Sequence, residues 1–206
     1  MSLNKNIDFN KVRELLKTED VVIVDNILDI SFANILCNRM HGASYDHHFE
    51  MGYYAQDYYY LQDKHTTTLV DDLKKRMGLK NFQRAWSFIY DNGEGVPFHA
   101  DPASLNINIW VAPNDCIEDF SSNGLIITDL KPPSDWTREM WNNNKNLCIN
   151  NLFRNSKFKT TTIDYKFNRG VFFDGALFHR TDKVKTKPGE ENKRVSYTML
   201  YGRELE

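Results

Sequence analysis

The chain has 206 residues and a mass of 24.2 kDa, enough to bury one sizeable core and short for two. A formal net charge of -2 and a pI near 6.3 lack the basic excess that an obligatory nucleic-acid or anionic-membrane partner demands, so small-molecule or peptidyl partners are expected. Three cysteines, Cys37, Cys116 and Cys148, odd in number and without a short spacing, support neither a disulfide framework nor a zinc ribbon. A reducing cytosol follows as the expected compartment. No apolar run approaches the roughly 20 residues of a membrane span, and the polar sequence after Met1 has no signal-like apolar core.

In chain order, Val12, Leu15 and Leu16 recur at helical spacing and predict a short helix over residues 8–17. The β-branched run Val21-Val22-Ile23-Val24 predicts a buried strand. Residues 30–40 resume the helical period, with Ser31 as the expected N-cap and Gly42 as the stop, and 69–77 form a further helix closed by Gly78. Between them, five tyrosines fall within residues 53–60. β-propensity reads that stretch as an amphipathic edge strand, and the pairing of an apolar face with a hydroxyl reads it as a substrate mouth. His41, His47, His48 and His65 lack a carboxylate and a distal ligand at useful spacing and are expected as surface or hydrogen-bonding residues.

From Arg84 the texture changes to short strands separated by Gly, Pro and Asn. Strands are predicted at 85–91, 97–101, 105–112, 125–130, 161–166, 171–174, 176–182 and 194–202. The fold class is therefore mainly β with flanking helices (α+β), on a double-stranded β-helix, the jelly roll shared by cupins. One domain is expected, with a helical and strand flank over 1–83 and the core over about 84–203. Lys131-Pro132-Pro133 opens a helical or irregular insertion reaching about residue 158.

Chemistry concentrates at His99-Ala100-Asp101, where two metal-capable side chains two positions apart share one side of an extended backbone. His179, at the opening of a later predicted strand, supplies a third ligand. Two histidines and a carboxylate are the facial set that holds iron(II) with positions left open. On the last strand Arg194 and Ser196 share a face opposite Val195, Tyr197 and Met199, placing a guanidinium fork beside a hydroxyl as a seat for a carboxylate. Pairing of Arg194 with Glu190 or Glu191 is the simpler alternative. Tyr90 offers one more hydroxyl to the seat, and Asn106 and Asn108 share a strand face with Trp110. Lys183, Lys185 and Lys187 read as the solvent side of a hairpin.

Tyr90-x-x-Gly93, His99-x-Asp101, His179 and Arg194-x-Ser196, in that order, resemble the 2-oxoglutarate- and iron(II)-dependent dioxygenases near their prolyl 4-hydroxylase-like branch. The run 106–113, with Asn123-Gly124-Leu125 and Pro133-x-x-Trp136, looks like a less characterised bacterial and phage subgroup of that superfamily. The resemblance implies iron(II) on His99, Asp101 and His179, and 2-oxoglutarate with its distal carboxylate on Arg194 and Ser196, helped by Tyr90 and Asn108. It further implies O2 as oxidant and hydroxylation with release of succinate and CO2. Prolyl 4-hydroxylases commonly carry lysine where Arg194 stands, which counts against a prolyl substrate. Two other functions fit the same residues: a cupin-like binding module without catalysis, and a cupin-type metal dioxygenase that uses no 2-oxoglutarate.

Overall fold

The computed structural model describes residues 2–44, 47–49, 53–57, 63–142 and 147–202. The first helix, α1 (Phe9–Leu15), is capped by Asp8, whose carboxylate accepts from the Asn10 and Lys11 N–H groups. Strand β1 (Val21–Asp25) follows, then α2 (Ile30–His41). Asp29, not the expected Ser31, caps α2 by accepting from the Ser31 and Phe32 N–H groups, so Ser31 sits inside the first turn. Helix α3 (Lys64–Met77) starts at Lys64 rather than Leu69 because Asp63 caps it; Gly78, at φ 64°, closes it in the left-handed region that glycine tolerates.

Strands β2 (His47–Phe49), β3 (Tyr53–Asp57), β4 (Phe82–Tyr90), β5 (Leu105–Trp110), β8 (Arg169–Phe173) and β10 (Arg194–Tyr201) join β1 in a seven-stranded antiparallel sheet. Its order is β1-β8-β5-β10-β4-β3-β2. A smaller sheet, ordered β7-β6-β9, holds β6 (Leu125–Thr128), β7 (Thr160–Ile163) and β9 (His179–Thr181). The strands of the N-terminal flank thus extend the large sheet on both sides. The tyrosine-rich β3 lies one strand in from the edge, which β2 occupies; Tyr58, Tyr59 and Tyr60 fall outside the described residues. Helices α4 (Arg138–Trp141) and α5 (Leu147–Asn155) form the expected insertion.

Residues 97–101 do not form the strand the pattern predicts. Their ladder is reduced to one isolated bridge, His99 to His179, since Pro97 has no N–H and the Asp101 N–H turns to the Gly175 carbonyl.

All eight residues of β10 are buried, because both faces of the large sheet are covered. Odd positions Val195, Tyr197 and Met199 join Ile107, Ile109 and Ile89 in a core that α2 and α3 cover with Leu36, Met40, Leu69 and Leu73. The Tyr197 hydroxyl donates to the Leu36 carbonyl at 3.1 Å and so ties α2 to the sheet. Even positions face the interior between the sheets, and these carry the polar groups.

Asn168 joins the flank to the core. It sits at φ 60°, its side chain donates to the Leu28 carbonyl and accepts the Leu28 N–H, each at 2.9 Å, and its own N–H donates to the Trp110 carbonyl. Asn168→Ala orphans both groups of Leu28 and puts a side chain without a local hydrogen bond in the left-handed region. A loss of about 2–4 kcal/mol is expected in urea unfolding, with the m-value unchanged.

Candidate metal centre

The segment before β5 and the start of β9 meet through two backbone hydrogen bonds. His99 N–H donates to the His179 carbonyl at 3.0 Å, and His179 N–H donates to the His99 carbonyl at 2.9 Å. This antiparallel pairing sets the two imidazoles side by side, with ring centroids 4.3 Å apart, although they are 80 positions apart in the chain. Asp101, two residues on, presents its carboxylate on the same side, with Oδ2 3.4 Å from His179 Nε2. The three ligand atoms all lie within 4.8 Å of one another. That is close to twice the roughly 2.1 Å of a metal–nitrogen bond, so one ion spans them after small side-chain shifts. Among the described residues no other group of three His, Cys, Asp or Glu side chains comes together in this way.

Each ligand is oriented by a partner behind it. His99 Nδ1 lies 2.8 Å from the Pro97 carbonyl and His179 Nδ1 2.8 Å from the Leu177 carbonyl. A carbonyl only accepts, so the proton of each neutral ring is on Nδ1, and Nε2 keeps its lone pair for the centre. Asn106 Nδ2 donates to Asp101 Oδ2 at 2.8 Å. Phe173 packs edge-on against His179, at 4.8 Å between ring centroids. Gly175 is required where the chain returns, since a Cβ there would lie 2.8 Å from the Ala103 carbonyl oxygen.

Burial, and then the neighbouring His179, push the His99 pKa down to about 4, against the opposing pull of Asp101. Burial acts to raise the Asp101 pKa, but the adjoining imidazoles, His179 first, and the Asn106 amide outweigh it and hold the carboxyl below its usual range. A neutral imidazole beside a carboxylate at neutral pH is the protonation state a divalent cation needs. Two nitrogens and one oxygen, partly buried, fit a borderline ion such as iron(II).

The residues read as a carboxylate seat also lie together. Arg194 is 1% exposed and Ser196 1% exposed, on the interior face of β10. Arg194 Nε donates to the Asn123 carbonyl at 2.7 Å, and Asn123 itself sits at φ 67°. The guanidinium lies 4.6 Å from the Tyr90 ring centre and 5.5 Å from those of Trp110 and Tyr165. Arg194 makes no ion pair with Glu190 or Glu191; it is Lys193 that pairs with Glu190 and with Asp91. Arg194 Nη1, Ser196 Oγ and Trp110 Nε1 are buried without a hydrogen-bond partner. Such groups are rare because each forfeits its hydration, and together they mark a place built for an acceptor.

Tyr90 connects the seat to the metal side. Its hydroxyl lies 3.4 Å from Thr181 Oγ1, and Thr181 is on the same face of β9 as His179. Thr181 escaped the sequence reading, because nothing local distinguishes one threonine on a short strand. Asn108 faces the same interior, donates to Thr198 Oγ1 at 2.9 Å and leaves its Oδ1 unpaired. Of the other histidines, His41 Nε2 contacts the Lys193 carbonyl at 3.0 Å, His65 packs edge-on against Phe32, and His48 is exposed; the His47 side chain lies outside what the structure describes.

No family model matches the chain, and no curated protein matches it in sequence. Solved structures do. A prolyl-4-hydroxylase from Pseudomonas putida superposes with a TM-score of 0.61 at 13% identity, over 96% of this chain and 100% of that one. An oxidoreductase of the 2OG-Fe(II) oxygenase family from Burkholderia pseudomallei gives 0.59 at 11%, over 99% and 94%. The chain has the double-stranded β-helix fold of the 2-oxoglutarate/iron(II) oxygenases. HygX from Streptomyces hygroscopicus, solved with nickel and 2-oxoglutarate bound, shares this oxygenase fold at a TM-score of 0.60 and 6% identity, over 93% of this chain and 86% of that one. The double-stranded β-helix expected from the run of short strands after Arg84 is thus present, with seven of the eight strands expected there formed among the described residues and 97–101 reduced to a bridge. No described helix is long and apolar enough to cross a membrane.

The depressed pKa of His99 has a measurable consequence in the metal-free protein. Between about 6.5, the ordinary histidine value, and about 4, the unfolded chain binds a proton that the native state refuses. The His99 contribution to native stability therefore falls as pH drops through that interval and levels off below it, where the depressed carboxylates take over. Urea midpoints between pH 7 and pH 4 will show this slope, and His99→Gln is expected to flatten it.

Proposed function

We propose that this protein is a 2-oxoglutarate- and iron(II)-dependent oxygenase that hydroxylates a small-molecule or peptidyl substrate and releases succinate and CO2. The observation that carries the reading is the buried, unpaired Arg194 Nη1 with Ser196 Oγ, on the same sheet interior as the His99, Asp101 and His179 cluster. A metal dioxygenase without a co-substrate leaves that buried cation unexplained, and a binding module with incidental histidines leaves the converging His99, Asp101 and His179 unexplained. The fold shared with oxygenases, one of them holding nickel and 2-oxoglutarate, supports the same reading.

His99 and His179 would hold iron(II) through Nε2, and Asp101 through the carboxylate that Asn106 steadies. Bound there, iron(II) and 2-oxoglutarate supply the oxidising chemistry: O2 delivers one oxygen atom to the substrate C–H bond and one to the new carboxylate of succinate as CO2 leaves. Arg194 and Ser196 would donate to the distal carboxylate of the keto acid, with Tyr90 beneath the guanidinium and Asn108 alongside. Tyr90, whose ring lies against the guanidinium, reaches Thr181 two residues on from His179, so the proposed seat and metal centre share one interior. The aromatic faces of Tyr90, Trp110 and Tyr165 keep water off the guanidinium, which strengthens its hold on an anion.

Anaerobic reconstitution with iron(II), followed by 2-oxoglutarate, is expected to give the metal-to-ligand charge-transfer absorbance of a chelated keto acid. Arg194→Ala should weaken 2-oxoglutarate binding by about 30- to 1,000-fold, the cost of removing a desolvated charged partner. Iron binding should change little. Unaltered 2-oxoglutarate affinity in that variant would remove Arg194 from the seat.

A further inference from the structure

The insertion over residues 131–158 plays no part in the reading above, yet it grips the metal centre from behind. Ala100 stands between ligands His99 and Asp101, and both of its backbone groups are taken by the end of α4. Its N–H donates to the Trp141 carbonyl at 3.1 Å, and its carbonyl accepts from Asn142 Nδ2 at 2.9 Å. A strand in this place would have its neighbours in the ladder for those bonds, but the segment has only the His99 bridge. The two peptide planes flanking Ala100 decide how His99 and Asp101 point relative to each other. The insertion therefore sets an angle within the ligand set.

The second contact is apolar. The Ala100 side chain, 1% exposed, packs in one cluster with Ile149 of α5 and with Phe178, which precedes the third ligand. Phe178 is fully buried and meets Phe153 edge-on at 5.5 Å and Trp136 at 6.4 Å. One inserted element thus holds the residue next to every ligand while contributing no ligand itself.

We propose that Asn142 is a positioning residue of the metal centre, and that metal binding and docking of α4 and α5 are coupled through Ala100 and Phe178. The proposal rests on the metal reading given above. Without the Asn142 amide the peptide between Ala100 and Asp101 is held on one edge alone, by the Asp101 N–H to the Gly175 carbonyl, and Asp101 shifts from the ligand geometry. Coupling of this kind is reciprocal: whatever docking contributes to metal affinity, the metal returns to docking.

The test uses the full chain and cobalt(II) alone, under anaerobic conditions, read by visible absorption. The wild type is expected to bind one equivalent. Asn142→Ala should bind cobalt about 10- to 100-fold more weakly, the usual cost of losing a group that orients a ligand, with altered band positions. Asn142→Gln, which keeps an amide donor, should recover most of the affinity. Far-UV circular dichroism and the metal-free urea midpoint report whether the variants fold. Independently of any variant, cobalt should slow amide exchange across Leu147–Asn155 in the wild type. Unchanged cobalt affinity and spectrum in folded Asn142→Ala overturns the proposal. If that variant does not fold, exchange over α5 that ignores cobalt overturns it instead. Failure of the wild type to bind cobalt is a distinct result, which removes the metal centre itself and the coupling with it.

Discussion

Everything at the centre depends on one pair of backbone hydrogen bonds. His99 and His179 exchange N–H and carbonyl groups at 3.0 and 2.9 Å, and this bridge, rather than any side chain, closes the gap between the two halves of the ligand set. Asp101 then needs only the two-residue repeat of an extended backbone to join them. Because the bridge is isolated rather than part of a continuous ladder, its neighbours must be held by other means. Gly175 supplies a carbonyl to Asp101, Asn106 steadies the carboxylate, and α4 takes both groups of Ala100.

The other costly feature is Arg194. A guanidinium almost wholly removed from water needs compensation, and here three aromatic faces and the Asn123 carbonyl provide part of it. The remainder is left open at Nη1 and at Ser196 Oγ. Asn123 achieves its part from the left-handed region, with its side-chain amide locked to the Asp119 and Lys185 carbonyls, and Gly124 follows where a Cβ would run into Ile163. The pair Asn123-Gly124 thus holds the Arg194 guanidinium as well as turning the chain.

What could be read from the chain was whatever local periodicity encodes. His99-x-Asp101 and Arg194-x-Ser196 show because residues two apart on a strand share a side, and the alternation of Asn106, Ile107, Asn108, Ile109 and Trp110 separates interior from helix-covered face. The same local logic failed where two signals competed. Asp29 and Ser31 are both good caps, and the one before the first apolar residue won. Residues 97–101 alternate like a strand but lack an available partner. Contacts such as Tyr90 with Thr181, Arg194 with Asn123 and Ala100 with Asn142 join positions 91, 71 and 42 apart, and no spacing rule reaches that far.

Thr181 and His179 share one face of a strand three residues long. A strand is a ruler with marks only at every second residue, since a slip of one turns each side chain to the opposite sheet face. The step from His179 to Thr181, which meets the Tyr90 hydroxyl, therefore cannot be adjusted by less than two residues at a time. Substitution on β9 changes which side chain stands at a mark and leaves the marks where the backbone sets them.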